Sequence, residues 1–172
     1  MRKFGRRALS SNRKSSHVGL TLIELLVALV ILSILAAAAL PYAELTVRRD
    51  KELELRRALR DIRSAIDAFH DDWVAGKISK AAEGASEDGY PKTLQVLVDG
   101  MDLGKAKDTK RKYIRRIPRD PFTDPSKTSE QQWVLRGYQD GRDSFSWGSK
   151  DVYDVRCASD AQAIDGSRYK DW

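Results

Sequence analysis

GLTLIELLVALVILSILAAAAL, residues 19–40, holds one charged side chain, Glu24, in an otherwise uncharged run that begins where a basic leader ends. At about 1.5 Å per residue, residues 20–40 form a helix roughly 31 Å long, enough for a hydrocarbon core about 30 Å thick. A carboxylate inside such a segment costs on the order of 2.5–3.5 kcal/mol on insertion scales, so it calls for a partner. Cleavage after Gly19 supplies one: the new amine at Leu20 then lies one helical turn from Glu24, and the same amine on a neighbouring copy can lie closer still. A buried ammonium and carboxylate neutralise each other only in the right register, so the pairing would specify assembly.

The formal charge of +6 is unevenly distributed. Arg2, Lys3, Arg6, Arg7, Arg13 and Lys14 lie in residues 1–19, which carry no acid. Without these six, 25 of the 31 basic residues remain against 25 acidic ones, a chain with no formal net charge. Basic residues beside the first apolar segment are held on the cytoplasmic side, which sends everything after about residue 41 across the membrane. Two other readings of the stretch stay open. A secretory signal would be cut at small residues such as Ala36–Ala39, and an uncleaved anchor would let Glu24 snorkel toward the headgroups. The long polar leader, the internal charge and the length of the apolar run favour cleavage before the segment. Sequencing the mature amino terminus separates all three.

Gly19 followed by LTLIELLVALVILS resembles the prepilin leader and first helix of type IV pilins and of the pseudopilins of type II secretion systems. The resemblance implies a prepilin peptidase that cuts after Gly19 and methylates Leu20, with Glu24 guiding the subunit into a helical filament. Leu20 departs from the phenylalanine usual at the first mature position. Pro41 stands where the family often has a proline and where its filaments melt locally during assembly. On physical grounds Pro41 removes a hydrogen bond to Ala37 and kinks or loosens the helix, as any proline at a membrane exit would.

Beyond Pro41, Leu55, Leu59, Ile62, Ile66, Phe69 and Trp73 recur at helical spacing and make one apolar stripe, while Arg56, Arg57, Arg60, Asp61, Arg63 and Asp67 cover the other faces. The stripe is expected to pack on the protein's own globular part rather than in a coiled coil, and Gly76 marks the helix end. A helix from Leu20 to Ala75 would be about 80 Å long, suited to a filament stem.

Residues 77–89 read as a loop, and Pro91 as the first turn of a short helix with Leu94, Leu97 and Val98 inward and Gly100 near its end. Pro118, Pro121 and Pro125 forbid a long helix in the next stretch. Three aromatic and β-branched runs, 133–138, 143–147 and 152–157, read as strands of an antiparallel meander. The fold class expected is α+β: a long N-terminal helix, transmembrane then amphipathic, with a small antiparallel sheet packed on its distal half. The parts are a leader at 1–19, a transmembrane helix at 20–40, its amphipathic continuation at 41–76 and a globular domain at 77–172. This arrangement resembles the major pseudopilin, and YIRRIPRDPF at residues 113–122 is similar to that subfamily's proline-marked segment.

Enzyme chemistry is not expected. His17 lies in the leader and His70 on the helix, so no histidine is available to a loop nucleophile, and no phosphate-binding glycine loop occurs. Cys157 has no second cysteine to pair with and reads as a buried small apolar side chain. Asp151, Asp154, Asp160, Asp165 and Asp171 are oxygen ligands suited to calcium, which the resembled subfamily often holds in this region. They match no calcium-loop spacing, and a solvated acidic rim is the preferred reading; no cofactor is assigned.

From Lys105 to Arg119 there are eight basic residues, Lys105, Lys107, Lys110, Arg111, Lys112, Arg115, Arg116 and Arg119, against Asp108 alone. They suit a solvated loop or the acidic Glu83, Glu87 and Asp88 of a neighbour. Nucleic acid or anionic lipid is the alternative, and a mature chain without net charge argues against nucleic acid. The function expected is a structural pseudopilus subunit of a type II secretion system, anchored in the inner membrane and assembling into a periplasmic filament that helps export folded proteins. Its implied partners are further copies of itself, minor pseudopilins, the peptidase, an inner-membrane assembly platform and membrane lipid. A type IV pilus or competence pilin, and a single-pass anchored binding module, are the alternatives.

Overall fold

The computed structural model describes residues 19–103, 110–141, 144 and 146–172. The leader up to residue 18, Lys105, Lys107 and Asp108 of the basic stretch, and Asp143 and Phe145 of an expected strand lie outside the described residues. The chain divides into two compact units between Ala43 and Glu44.

Helix α1 runs Leu22–Val74, 53 residues. Its start is set by Thr21, whose hydroxyl accepts the Glu24 amide at 3.2 Å while its carbonyl accepts the Leu25 amide at 3.1 Å. Thr21 is therefore the N-cap, satisfying an amide that the first turn cannot pair internally. Its end is a Schellman motif, as Gly76 foretold: the Gly76 amide reaches the Trp73 carbonyl at 3.0 Å and the Lys77 amide the Asp72 carbonyl at 2.9 Å. Gly76 sits at φ +69°, a conformation in which a side chain is strained.

The unit Glu44–Trp172 builds its core on the expected stripe. Leu55, Leu59, Ile62, Ile66 and Phe69 are buried, joined by Ala58 and Ala65, and Trp73 is partly covered. Against them pack Ile78, Leu94, Leu97, Trp133, Val152, Val155, Cys157 and Tyr169. Each large apolar side chain removed from water contributes about 1.5–3 kcal/mol, so this stripe binds the helix to the rest of the unit. Helix α2, Leu94–Asp99, ends at Gly100 as expected, but Pro91 precedes it in an isolated bridge with Ala85, and Val96 rather than Val98 packs against the core.

The fold is α+β, with small antiparallel sheets in the C-terminal region. Strands β1 (Met101–Asp102) and β2 (Lys110–Arg111) pair as a short ribbon that the sequence did not announce. Strands β3 (Trp133–Arg136) and β4 (Asp154–Cys157) pair directly, Trp133 opposite Cys157 and Arg136 opposite Asp154. This replaces the expected three-strand meander: the described residues 144, 146 and 147 of the middle run belong to no strand. Carboxylates explain the difference. Asp140 accepts the Gly137 and Gly148 amides at 2.7 and 3.1 Å, and Asp151 accepts the Tyr138 amide at 2.8 Å. These bonds satisfy backbone donors that a ladder would otherwise have claimed, so the segment turns back on itself.

Segment 158–172, which carried little signal, is tied to α1 by a row of side chains one turn apart. Arg48 donates to the Gln162 carbonyl and to Tyr169, Glu52 accepts from the Tyr169 hydroxyl and the Ile164 amide at 2.8 Å each, and Arg56 pairs with Asp165 at 3.1 Å. Further along, Arg63 pairs with Asp154 at 2.8 Å and donates to the Trp172 carbonyl at 2.5 Å.

Candidate assembly site

The residues expected to carry function lie at the start of α1. Gly19 and Leu20 are exposed ahead of the helix, Leu20 by 75%. A Cβ added to Gly19 would meet nothing within 4 Å, and its backbone is not in the left-handed region. Nothing among the described residues requires a glycine there.

Glu24 is the third residue of α1 and the acid of its first turn, where the partial positive charge of the helix start favours a carboxylate. With Thr21 it forms the Thr-x-x-Glu pattern of a capping box. Thr21 is the capping residue that the reading of the sequence missed, and that four-residue pattern before an apolar run was the signal for it. The helix assignment passes through Pro41 without interruption, while its side chain lies outside the described ones.

From residue 19 to residue 37 every side chain is exposed, with Leu22 at 83% and Leu35 at 60%. The hydroxyl of Ser33 donates back to the Leu29 carbonyl at 2.7 Å, which satisfies its donor within the helix. By length and composition α1 is the one helix among the described residues able to cross a membrane. Among the described residues nothing covers the apolar surface of residues 19–37, a surface of the kind that lipid or a neighbouring helix covers.

The other candidates are scattered through the second unit. His70 stacks on Tyr90 at 4.3 Å and its Nδ1 lies 3.2 Å from the Gly89 carbonyl. Cys157 is buried, and burial followed by the hydrogen bond to Asp120 pushes its thiol up to about 12, so it stays protonated. The acidic residues near the C-terminus do not form one rim. Asp151 is buried, Asp154 pairs with Arg63 and Arg136, Asp160 with Lys170 and Arg168, and Asp165 with Arg56. Hydrogen bonds from Lys170 and Arg168 hold the Asp160 carboxyl below the usual range, and those from Ser167 do the same for Asp165. Among the described residues no three His, Cys, Asp or Glu side chains gather to hold a metal.

The proline-marked segment is held from within. Asp120, buried, accepts the Phe122 amide at 2.8 Å and the Thr123 hydroxyl at 2.9 Å, and its own amide donates to Gln132 at 3.0 Å. Trp133 Nε1 donates to the Pro118 carbonyl at 3.0 Å.

Residues 19–40 match the family described as the prokaryotic N-terminal methylation motif. No curated protein and no solved structure matches the chain. The motif is that of prokaryotic prepilin-like proteins, which a peptidase processes and which assemble into filaments, and with the apolar helix it supports membrane anchoring of the amino-terminal segment.

Proposed function

We propose that the chain is a pseudopilus subunit of a type II secretion system. The observation that carries the reading is the uncovered apolar surface over residues 19–37, with a single acid at the capped start of the helix, inside a methylation motif. Lipid covers that surface before assembly, and neighbouring helices cover it afterwards. The peptidase cuts after Gly19, whose lack of a side chain serves the enzyme rather than the fold, and methylates Leu20. The Leu20 amine of one copy then meets Glu24 of the next, and Pro41 supplies a proline-weakened turn during that packing.

The basic leader keeps the amino terminus cytoplasmic, the helix of residues 20–40 spans the inner membrane, and residues 41–172 face the periplasm. The internally bonded segment 113–122 is what favours the pseudopilus over a pilus or competence filament, through its likeness to that subfamily's proline-marked segment. A platform in the inner membrane and minor pseudopilins complete the assembly.

The test has two parts. Mature protein should begin at Leu20 with a methylated amine, and Glu24→Ala should insert in the membrane yet form no filaments. Deleting the gene should abolish export of folded proteins and leave surface pili and DNA uptake intact. A mature chain beginning elsewhere, normal filaments from Glu24→Ala, or loss of pili with normal export would overturn the proposal.

A further inference from the structure

Beside α1 lies an open groove of about 750 Å³, between the helix face that carries Arg57, Ala58 and Ala65 and the chain from Tyr113 to Arg119. Its basic side chains are Arg57, Arg115, Arg116 and Arg119, against the acids Glu54 and Asp61. Five other arginines of the unit, Arg56, Arg63, Arg111, Arg136 and Arg168, each pair with an aspartate. Arg57, Arg115 and Arg116 have no such partner among the described residues, and Arg119 reaches only the Pro125 carbonyl at 3.5 Å. Three unpaired cations beside an apolar wall form a surface complementary to an anionic, partly apolar segment.

The same unit presents such a segment. Residues 81–91, AAEGASEDGYP, contain Glu83, Glu87 and Asp88 and no base. Glu83 and Glu87 are exposed and unpaired among the described residues, while Asp88 is held by Gln139 at 3.1 Å. The other acidic part, 160–165, is already matched by Arg56, Arg168 and Lys170.

We infer that the arginine groove of one copy receives the Glu83–Glu87 loop of a second copy of this chain. The inference rests on the filament reading proposed above and names a contact made by its soluble units. Between parallel copies shifted along the helix, groove and loop cannot meet twice in one pair, so their union repeats head-to-tail rather than closing into a dimer, as a filament requires. The groove is centred near residue 60 and the loop follows the end of α1, so joined copies are offset along the helix by on the order of 20 Å.

The test uses the full chain in the membrane that assembles it. With Arg116→Cys and Glu87→Cys in one chain, copper-phenanthroline oxidation should give a ladder of cross-linked copies, Cys157 being buried and unreactive. Reversing charge with Arg115→Glu and Arg116→Glu should raise the subunit concentration needed for filaments about fivefold, with restoration by Glu83→Lys and Glu87→Lys. Three results overturn the inference while leaving the filament reading intact: no ladder although filaments form, dimers from Arg116→Cys alone, or reversal that removes binding to phosphatidylglycerol vesicles without touching filaments. If the wild-type chain makes no filaments at all, both readings fall together.

Discussion

Replacing Asp72 by asparagine removes a charge on which three donors converge. Its carboxylate, 3% exposed, takes Lys77 Nζ at 2.8 Å, Arg111 Nη1 at 2.7 Å and the Tyr113 hydroxyl at 3.0 Å. Burial by itself would raise this carboxyl, but the bonds from Lys77 and Tyr113 and the charge of Arg111 outweigh it and hold the pKa below 3.8. Charge-assisted bonds are worth about 1.5–3 kcal/mol each when dry. The Lys77 and Arg111 side chains are 49% and 44% exposed, so water takes over much of their share. Each of those pairs then contributes nearer 0.2–1 kcal/mol, roughly the range for solvent-screened pairs. Asparagine keeps an acceptor for Tyr113 but turns an amide toward cations. The expected loss is about 2 kcal/mol at neutral pH, or roughly 4–8 °C in Tm for a chain of this size.

Urea unfolding of the full chain in detergent micelles, followed by tryptophan fluorescence, measures it. All four tryptophans, Trp73, Trp133, Trp147 and Trp172, lie in the unit concerned. The folded pKa is depressed, so the stabilisation is present above 3.8 and is lost as pH falls through the folded value. The gap between wild type and variant should therefore close in acid. An Asp72→Asn chain as stable as wild type at neutral pH, or a gap that persists unchanged in strong acid, refutes the reasoning. Because Asp72 also anchors Arg111 and Tyr113, the variant should weaken the groove contact formed by the residues that follow.

Thr21→Val keeps the size of the cap and deletes its acceptor, which should cost about 1 kcal/mol and speed amide exchange at Glu24 about fivefold in micelles; unchanged protection would show that the cap contributes nothing. Tyr169→Phe removes the hydroxyl shared by Glu52 and Arg48 and should cost about 1–2 kcal/mol, read as faster proteolysis of residues 158–172. Burial raises the pKa of Tyr169 above 10, so its contribution is complete below that pH and lost above it. Wild type should consequently lose more stability than Tyr169→Phe as the solution is made alkaline, and equal losses would contradict the assignment. Cys157, with its thiol pushed up to about 12, should resist an aromatic disulfide reagent at mildly alkaline pH until urea exposes it, and rapid labelling of folded protein would show that it is not closed off.

The elements that were legible in the sequence are those set by neighbours along the chain. The apolar run with Glu24 needed only a count of residues against a bilayer. The stripe from Leu55 to Phe69 follows from helical spacing, and Gly76 ended the helix because the left-handed turn there suits glycine. The Thr21 cap was equally local and was passed over. The strands were legible in part: runs 133–138 and 152–157 contain β3 and β4, but the run between them reads as a strand only if the claims of Asp140 and Asp151 on nearby amides are ignored.

By itself the amino-acid sequence determined a membrane-length helix with one acid, an amphipathic extension and a proline-marked distal segment, because periodicity, length and composition are properties of adjacent residues. Only the tertiary structure decided that segment 158–172 is tied to Arg48, Glu52, Arg56 and Arg63, that Asp154 and Asp165 are ion-paired while Asp151 caps an amide, and that the unpaired arginines line one groove. Those are contacts between residues far apart in the chain. A charged side chain chooses among such partners by distance and access to water, and neither quantity exists until the chain has folded.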